Sequence, residues 1–567
     1  MIIGSRGSEL ALWQANFVLA ELKKIKIDAE IKIIKTKGDI EQNLSWDKME
    51  GKGFFTKEIE DALLKKEIDL AVHSHKDLPT ESEVNPVRVL NPDRVSLVIA
   101  AVSEREDPSE LLLINKNAVD EKQKFSLKQN AVVGTSSARR KSQMLAWRSD
   151  VGLEDLRGNV PTRIQKLRDK KYDAILIANA GVARLEIDLK EFHSEKLDVH
   201  EFIPAPAQGV LALQIRESDK ELFDKLQKLN HKEVAETIAV ERKILNLFDG
   251  GCQLPLGSFC EKEENKNGEI IFKARVAKAD SWNQFPKYIY VESKKLEGLA
   301  EKAVEKIKNI KPCSVFVSRD ENKNDFFKKC LEANGYKVFA QSLIEIKQIP
   351  MRKFSKANPS SGGFMKTDWV FFSSKNAVKH FFEQKPDVEG TKFGAVGKTT
   401  AEAIRKYGKR ADFIGTSDDT RRTGKKFSAL VGSKTVLFPQ AKASMKTIQS
   451  QLPQKENVKE VVVYETIKKM EDVKWQMADV AIFVFTSPSN VDTFFEKYNK
   501  NNLPSLWKGS VRKDSRGSPA DSFGGVGSKV IAMGDATTNA LRKFGIKANK
   551  QPASFDDLGL VQAVMSI

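Results

Sequence analysis

Hydrophobic positions along the chain follow two rhythms. Short, nearly continuous apolar runs alternate with stretches in which apolar residues recur every three to four positions. That is the pattern of buried strands and amphipathic helices in an α/β protein. In the first half, strands are expected at 31–34, 68–72, 95–102, 131–133 and 174–178, and helices at 55–65, 163–170, 217–228 and 234–248. A hairpin-like pair at 270–277 and 288–291 precedes a helix at 296–310. Pro312 stops that helix, and a fresh strand at 314–317 opens a new α/β pattern. The main boundary is therefore expected at 311/312.

The second half contains an internal repeat. Phe371-Phe-Ser-Ser-Lys-Asn-Ala-Val378 resembles Val484-Phe-Thr-Ser-Pro-Ser-Asn-Val491, and the stretch from Gly397 to Gly408 resembles that from Gly534 to Gly545. Each copy reads as strand, hydroxyl-bearing turn and helix, twice over. Such turns present hydroxyls and free amides at helix N-termini, where anions are received, although ordinary capping accounts for any single one. Two copies of both turns predict two similar α/β domains facing one cleft. Residues 508–529, rich in Gly, Ser, Lys and Arg, read as a flexible insertion, with a smaller loop at 358–363.

Composition narrows the class. With 567 residues, 40% hydrophobic and 30% charged, the chain is neither disordered nor fibrous. No run approaches the ~20 apolar residues of a spanning helix, and the start lacks the pattern of a signal peptide. Four cysteines make no disulfide framework and show no metal spacing, so no metal and a reducing cytoplasm are expected. The net charge of +17 is unevenly placed. Residues 1–300 hold 48 Lys and Arg against 49 Asp and Glu, and residues 301–567 hold 46 against 28. A solubility device, a nucleic-acid patch and an anionic substrate all fit that excess.

Candidate chemistry gathers at expected strand ends. Gly4-Ser-Arg-Gly-Ser8, Gly134-Thr-Ser-Ser-Ala-Arg-Arg140 and Leu156-Arg-Gly-Asn-Val-Pro-Thr-Arg163 each follow a strand or open a helix, and Arg184 follows the turn at Gly181. In open α/β sheets, ligands bind beyond the carboxyl ends of strands. Arginines there suit a polycarboxylate or polyphosphate, because guanidinium pairs bidentately with such groups. No Walker-type loop is present, which disfavours a nucleoside triphosphate. Asp77, in Val72-His-Ser-His-Lys-Asp-Leu-Pro79, could act as acid or base or stabilise a cation, or could simply cap a turn. Cys252, in Gly250-Gly-Cys-Gln-Leu-Pro255, sits in a tight turn suited to a covalent role, or is a small buried apolar residue.

Taken together, residues 1–311 resemble porphobilinogen deaminase. The motifs above carry the resemblance, joined by Ala11-Leu-Trp-Gln14, Gly51-Lys-Gly-Phe-Phe-Thr-Lys-Glu58 and Gly250-Gly-Cys-Gln253. Pro204-Ala-Pro-Ala-Gln-Gly209 is a weaker match, because the family commonly has Gly where Ala207 stands. The resemblance implies a two-lobed α/β body like a type II periplasmic binding protein, plus a small α+β domain. Subdomain 1 would cover about 1–97 and 198–218, subdomain 2 about 98–197, and subdomain 3 about 219–311. A dipyrromethane cofactor would be held in thioether linkage to Cys252, with Lys76, Ser137, Arg139, Arg140 and Arg184 on its carboxylates. Asp77 would be catalytic, stabilising the azafulvene cation formed as ammonia leaves. Arg6, Ser8, Arg157 and Arg163 would bind substrate, and Phe55 would sit in a lid.

Residues 313–567 resemble uroporphyrinogen-III synthase through Ser374-Lys-Asn-Ala-Val378, Gly397-Lys-Thr-Thr-Ala401, Val463-Tyr-Glu-Thr466, Phe485-Thr-Ser-Pro-Ser489 and Gly534-Asp-Ala-Thr-Thr538. Phe438-Pro-Gln-Ala441 lacks the Arg-Gly often seen there. The resemblance implies two Rossmann- or flavodoxin-like domains, about 312–346 with 467–567 and about 347–466. Tyr464 would assist hydroxyl loss, and Ser374, Ser487, Thr537 and Thr538 would bind substrate. The expectation is a monomeric, cytoplasmic, bifunctional enzyme that turns porphobilinogen into hydroxymethylbilane and then uroporphyrinogen III, with no nucleic-acid or membrane partner. Its alternatives are a second half that only binds the bilane, or a two-lobed anion-binding protein throughout.

Overall fold

The computed structural model describes residues 1–36, 56–79, 96–249, 254–265, 268–321, 325–351, 367–416, 420–469, 480–498 and 528–567. Two compact units emerge, the first formed by Met1–Asp120 with Lys124–Lys311, the second essentially by Pro312–Met565. Among the described residues, no helix is long and apolar enough to cross a membrane.

The first unit begins with β1 (Ile2–Ser5), α1 (Glu9–Lys24), β2 (Glu30–Ile33), α2 (Lys57–Leu64), β3 (Leu70–Ser74), β4 (Leu97–Val102) and β5 (Glu110–Ile114). It continues with β6 (Val132–Gly134), α3 (Ala138–Trp147), β7 (Gly152–Glu154), α4 (Val160–Arg168), β8 (Ala174–Ala178), α5 (Asn179–Arg184) and β9 (His193–Lys196). It ends with β10 (Leu211–Arg216), α6 (Lys220–Leu226), α7 (Lys232–Asn246), β11 (Leu256–Glu264), β12 (Ile270–Lys278), β13 (Lys287–Ser293) and α8 (Leu299–Lys308). These make three sheets, ordered β2-β1-β3-β10-β4, β7-β6-β8-β5-β9 and β11-β12-β13. The third is wholly antiparallel. Strands β3, β5 and β10 bury almost every side chain, the polar Gln214 and Arg216 of β10 included.

One boundary differs from expectation. β4 pairs with β10 in the first sheet, so the chain passes to the second sheet after Val102, not at 97/98. An apolar run shows that a strand is buried, but not which sheet accepts it. The expected hairpin at 270–291 is present as β12 and β13, with β11 added as a third strand.

The second unit runs β14 (Ser314–Val317), α9 (Asp325–Ala333), β15 (Lys337–Ala340), β16 (Ile344–Gln348), β17 (Trp369–Phe372), α10 (Lys375–Phe382), β18 (Lys392–Ala395), α11 (Lys398–Arg405) and β19 (Phe413–Ile414). It goes on through α12 (Thr420–Val431), β20 (Val436–Ala441), β21 (Val458–Lys468), β22 (Ile482–Phe485), α13 (Pro488–Lys497), β23 (Lys529–Ala532), α14 (Asp535–Lys543) and α15 (Asp557–Met565). One sheet is ordered β15-β14-β22-β23 and the other β16-β21-β20-β17-β18-β19; apart from β16, all their strands are parallel. The six-stranded sheet is buried on both faces, Phe372 packing with α10 on one and Phe371 with α12 on the other. β16 and β21 cross the expected breaks at 346/347 and 466/467, and both belong to the six-stranded sheet.

The repeat is visible in the backbone. Ser374 caps α10 at φ −158°, ψ 154°, and Ser487 caps α13 at φ −159°, ψ 156°. Each serine hydroxyl accepts from the amide three residues on, Ala377 at 3.1 Å and Asn490 at 3.3 Å. The insertion at 508–529 lies almost wholly outside the described residues, as does the loop at 358–363.

Candidate active site

In the first unit, short turns after β1, β3 and β6 deliver the polar motifs. Ser8 caps α1 by accepting from Ala11 N (3.3 Å), and Ser137 caps α3 by accepting from Arg140 N (3.4 Å). β3 runs into a single 3₁₀ turn, His75–Asp77, which leaves Asp77 exposed and Lys76 partly buried. Arg6, Ser8, Gln14, His73, Ser74 and Asp77 line one cavity of about 90 Å³. Gln14 Nε2 donates to Ser74 Oγ (2.9 Å) across its floor. Burial drives the His73 pKa down to about 4 despite a hydrogen bond with Gln214, so its ring is neutral.

The organising group is Glu110, a fully buried carboxylate at the head of β5. Arg139 Nη2 lies 2.6 Å from one oxygen and Arg140 Nη2 2.7 Å from the other. Burial alone would raise its pKa, but the Arg140 and Arg139 guanidiniums and the Lys76 ammonium hold it at about 2. Gln208 Nε2 donates to Glu110 (3.1 Å), and Gln208 Oε1 accepts from Lys76 (3.3 Å). The Lys76 pKa falls to about 8, chiefly from loss of solvent; Asp77 and Glu110 oppose this, and Arg140 and Arg139 add repulsion. Arg163 is lowered to about 10 by the same desolvation and by Arg140, and feels Asp77 as a counter-charge. Lys76, Asp77, Arg139, Arg140 and Arg163 thus share one electrostatic environment with more cations than anions.

Other expected residues stand slightly apart. Arg184 ends α5, donates to Gly209 O (2.6 Å) and lies over the Trp13 ring. Arg157 leads into α4 and is partly buried. Arg139 also donates to Ile203 O (3.1 Å), so it ties α3 to the returning chain as well as to Glu110. Phe55 and Cys252 lie outside the described residues. Burial pushes the thiols of Cys260, Cys313 and Cys330 up, which makes them poor nucleophiles. Ala207 takes φ +58°, the left-handed conformation that favours glycine.

In the second unit, Ser374 and Tyr464 meet. Their hydroxyl oxygens are 3.2 Å apart, joining the end of β17 to β21. Burial raises the Tyr464 pKa against the opposing Ser374 hydrogen bond, and the His380 ring lies 5.7 Å away. Ser487, Thr537 and Thr538 belong to the other sheet. The Thr537 and Thr538 hydroxyls donate back to Met533 O (3.0 Å) and Gly534 O (3.1 Å), and Thr538 accepts from Gln551 (2.8 Å).

Residues 1–224 match the family model for the dipyromethane cofactor binding domain of porphobilinogen deaminase. A porphobilinogen deaminase of Syntrophomonas wolfei is 42% identical over 285 residues, 50% of this chain and 87% of that one. The chain belongs to the porphobilinogen deaminase family. A second porphobilinogen deaminase, from Bacillus cereus, is 39% identical over 293 residues, covering 49% and 90% of the two chains. Beyond the deaminase region, residues 325–514 match the family model for uroporphyrinogen-III synthase HemD. The crystal structure of uroporphyrinogen-III synthetase from Helicobacter pylori is 18% identical and covers 44% of this chain and 97% of its own, with a TM-score of 0.29.

Within the deaminase unit, sequence reasoning missed Glu110 and Gln208. A signal for Glu110 exists: it is a lone carboxylate directly before the apolar run Leu111–Ile114. Gln208 carries none, because its two partners come from distant parts of the chain.

Proposed function

We propose that the chain is a bifunctional enzyme of tetrapyrrole biosynthesis. The first unit condenses four porphobilinogens, with loss of ammonia, to hydroxymethylbilane. The second closes that bilane, with inversion of its last ring, to uroporphyrinogen III. One observation carries the reading most directly: Asp77 borders a cavity shared with Arg6 and Ser8, beside a cluster of buried cations.

The chemistry follows from the charges. Each porphobilinogen carries an acetate and a propionate, which Arg6, Arg157 and Arg163 would bind while Asp77 offsets the cation that develops as ammonia leaves. Lys76, Ser137, Arg139, Arg140 and Arg184 would hold the carboxylates of the dipyrromethane, and Cys252 its thioether. The fit is supported by the surplus of cations and by Arg140 Nε, a buried donor without a partner among the described residues. When bound, the dipyrromethane supplies the pyrrole end from which the chain grows. In the second unit, the Tyr464 hydroxyl, kept protonated by burial, would assist loss of the bilane hydroxyl.

This reading carries the finer expectations with it. The first unit would open and close like a type II binding protein, and the second would hold its substrate between two Rossmann- or flavodoxin-like domains. One chain would work alone in the cytoplasm, without nucleic-acid or membrane partners. Incubation of the purified protein with porphobilinogen tests the whole sequence. Uroporphyrin III after oxidation is the expected product. Mostly isomer I would mean that the second unit does not close the ring, and no uroporphyrin would end the deaminase reading.

A further inference from the structure

The two sheets of the second unit carry opposite charge at their carboxyl edges. In the six-stranded sheet, β17, β18 and β19 lead into α10, α11 and α12. Each of these helices has cations and no acid in its first turn: Lys375 in α10, Lys398 in α11, Arg421 and Arg422 in α12. All four side chains are exposed. The Thr423 hydroxyl donates to Thr416 O (2.9 Å), which holds the first turn of α12 at the end of β19. Asp418 and Asp419 precede that turn in sequence and lie outside the described residues. In the four-stranded sheet, the equivalent edge carries Asp320, Glu321 and Asp535; among the described residues Glu321 pairs with Lys328, and Arg319 pairs with Asp557 at 2.7 Å. Asp535 occupies the repeat position of Lys398.

Cations in a first turn oppose the helix dipole, which favours acids there. Several other helices follow that rule: α1, α7, α8, α14 and α15 all place an acid in the first turn. α3, α4, α5 and α13 also lack one, and of these α3 holds Arg139 and Arg140 in its first turn, beside the candidate active site. Repeated departures from a local preference at one edge mark a functional surface.

We propose that the linear tetrapyrrole docks its carboxylates on the edge of the six-stranded sheet through Lys375, Lys398, Arg421 and Arg422, and that the acidic edge of the four-stranded sheet repels them. The inference rests on the reading of the second unit as the ring-closing enzyme. Ser374 and Tyr464 stand on the same edge, so the bound carboxylates flank the hydroxyl that meets the reacting end. From β21 to β18 is three strand spacings, about 14 Å. That span suits a flexible chain of pyrroles bearing acetate and propionate groups throughout.

The test uses the full chain with K375Q/K398Q/R421Q/R422Q, and a control of equal charge change, K497Q/R542Q/K543Q/K547Q. Glutamine in first turns relieves the dipole conflict, so the edge variant should melt no lower than the parent. With bilane supplied directly, its KM should rise about tenfold while kcat and the deaminase rate hold, and the control should stay near the parent. An unchanged KM in the edge variant, or an equal rise in the control, overturns the proposal. If the parent yields only isomer I, the ring-closing reading fails separately. Titration with uroporphyrin III then decides the edge itself: about tenfold weaker binding by the variant supports it, and equal binding sinks it.

Discussion

Arg139 Nη2 lies 2.6 Å from Glu110 Oε1, and neither side chain is appreciably exposed. With Arg140 on the other oxygen, one carboxylate separates two adjacent guanidiniums and, through Gln208, reaches the turn that carries Asp77. Glu110→Gln leaves both cations buried without their counter-ion. The expected cost is about 3 kcal/mol in urea unfolding, together with loss of deaminase activity. Because Glu110 is depressed to about 2, its contribution is complete above the ordinary carboxylate pKa and fades as pH falls toward 2. The variant should lack that component of the acid limb. An unchanged urea midpoint would show that the pair does not hold the cluster together.

Lys76 titrates near 8 rather than near 10, so its grip on carboxylates should weaken early. With Lys76 assigned to the dipyrromethane, deaminase kcat/KM should fall above about pH 8. Lys76→Arg keeps the charge and should flatten that limb. Identical alkaline profiles for parent and variant would remove Lys76 from carboxylate binding.

Asp77 is exposed in its turn, so replacing it should disturb the fold little. Asp77→Asn is expected to lower kcat by about 10²- to 10⁴-fold, with unfolding within about 0.5 kcal/mol of the parent. Near-normal turnover would take Asp77 out of the mechanism.

Cys252→Ser should lack a covalent adduct. Intact mass of the active parent should exceed the sequence mass by two pyrrole units, and the variant should show none. An unmodified thiol in active protein would end the thioether assignment.

Tyr464→Phe should shift the product from isomer III toward isomer I while the deaminase rate holds. Ser374→Ala should shift it less, and should also cost about 1 kcal/mol through the lost cap. If Tyr464→Phe still gives isomer III at the parental rate, the phenol has no part in ring closure.

Much of this protein is legible from the chain alone. The apolar runs locate β2, β3, β4, β6, β8, β12, β13 and β14 to within a few residues, but not β5, or β10 with its buried Gln214 and Arg216. The Ser-capped turns of the repeat are legible too, because capping is set within four residues, and Ser374 and Ser487 share their backbone angles. Motif and order together mark the candidate residues around Asp77.

What tertiary structure alone decides is partnership across distance. Glu110 reads as an odd charge before a strand until Arg139, Arg140 and Gln208 close on it from positions 29 to 98 residues away. β4 reads as an apolar run until its ladder with β10 assigns it to the first sheet. Ser374 and Tyr464 are 90 residues apart and meet only because β20 separates their strands by a single place in the sheet. Local sequence fixes dihedrals, caps and periodicity, which act over a few residues. Charge pairing, desolvation and strand order depend on which distant segments pack together, and those are what gather Arg139, Arg140 and Arg163 into one electrostatic cluster.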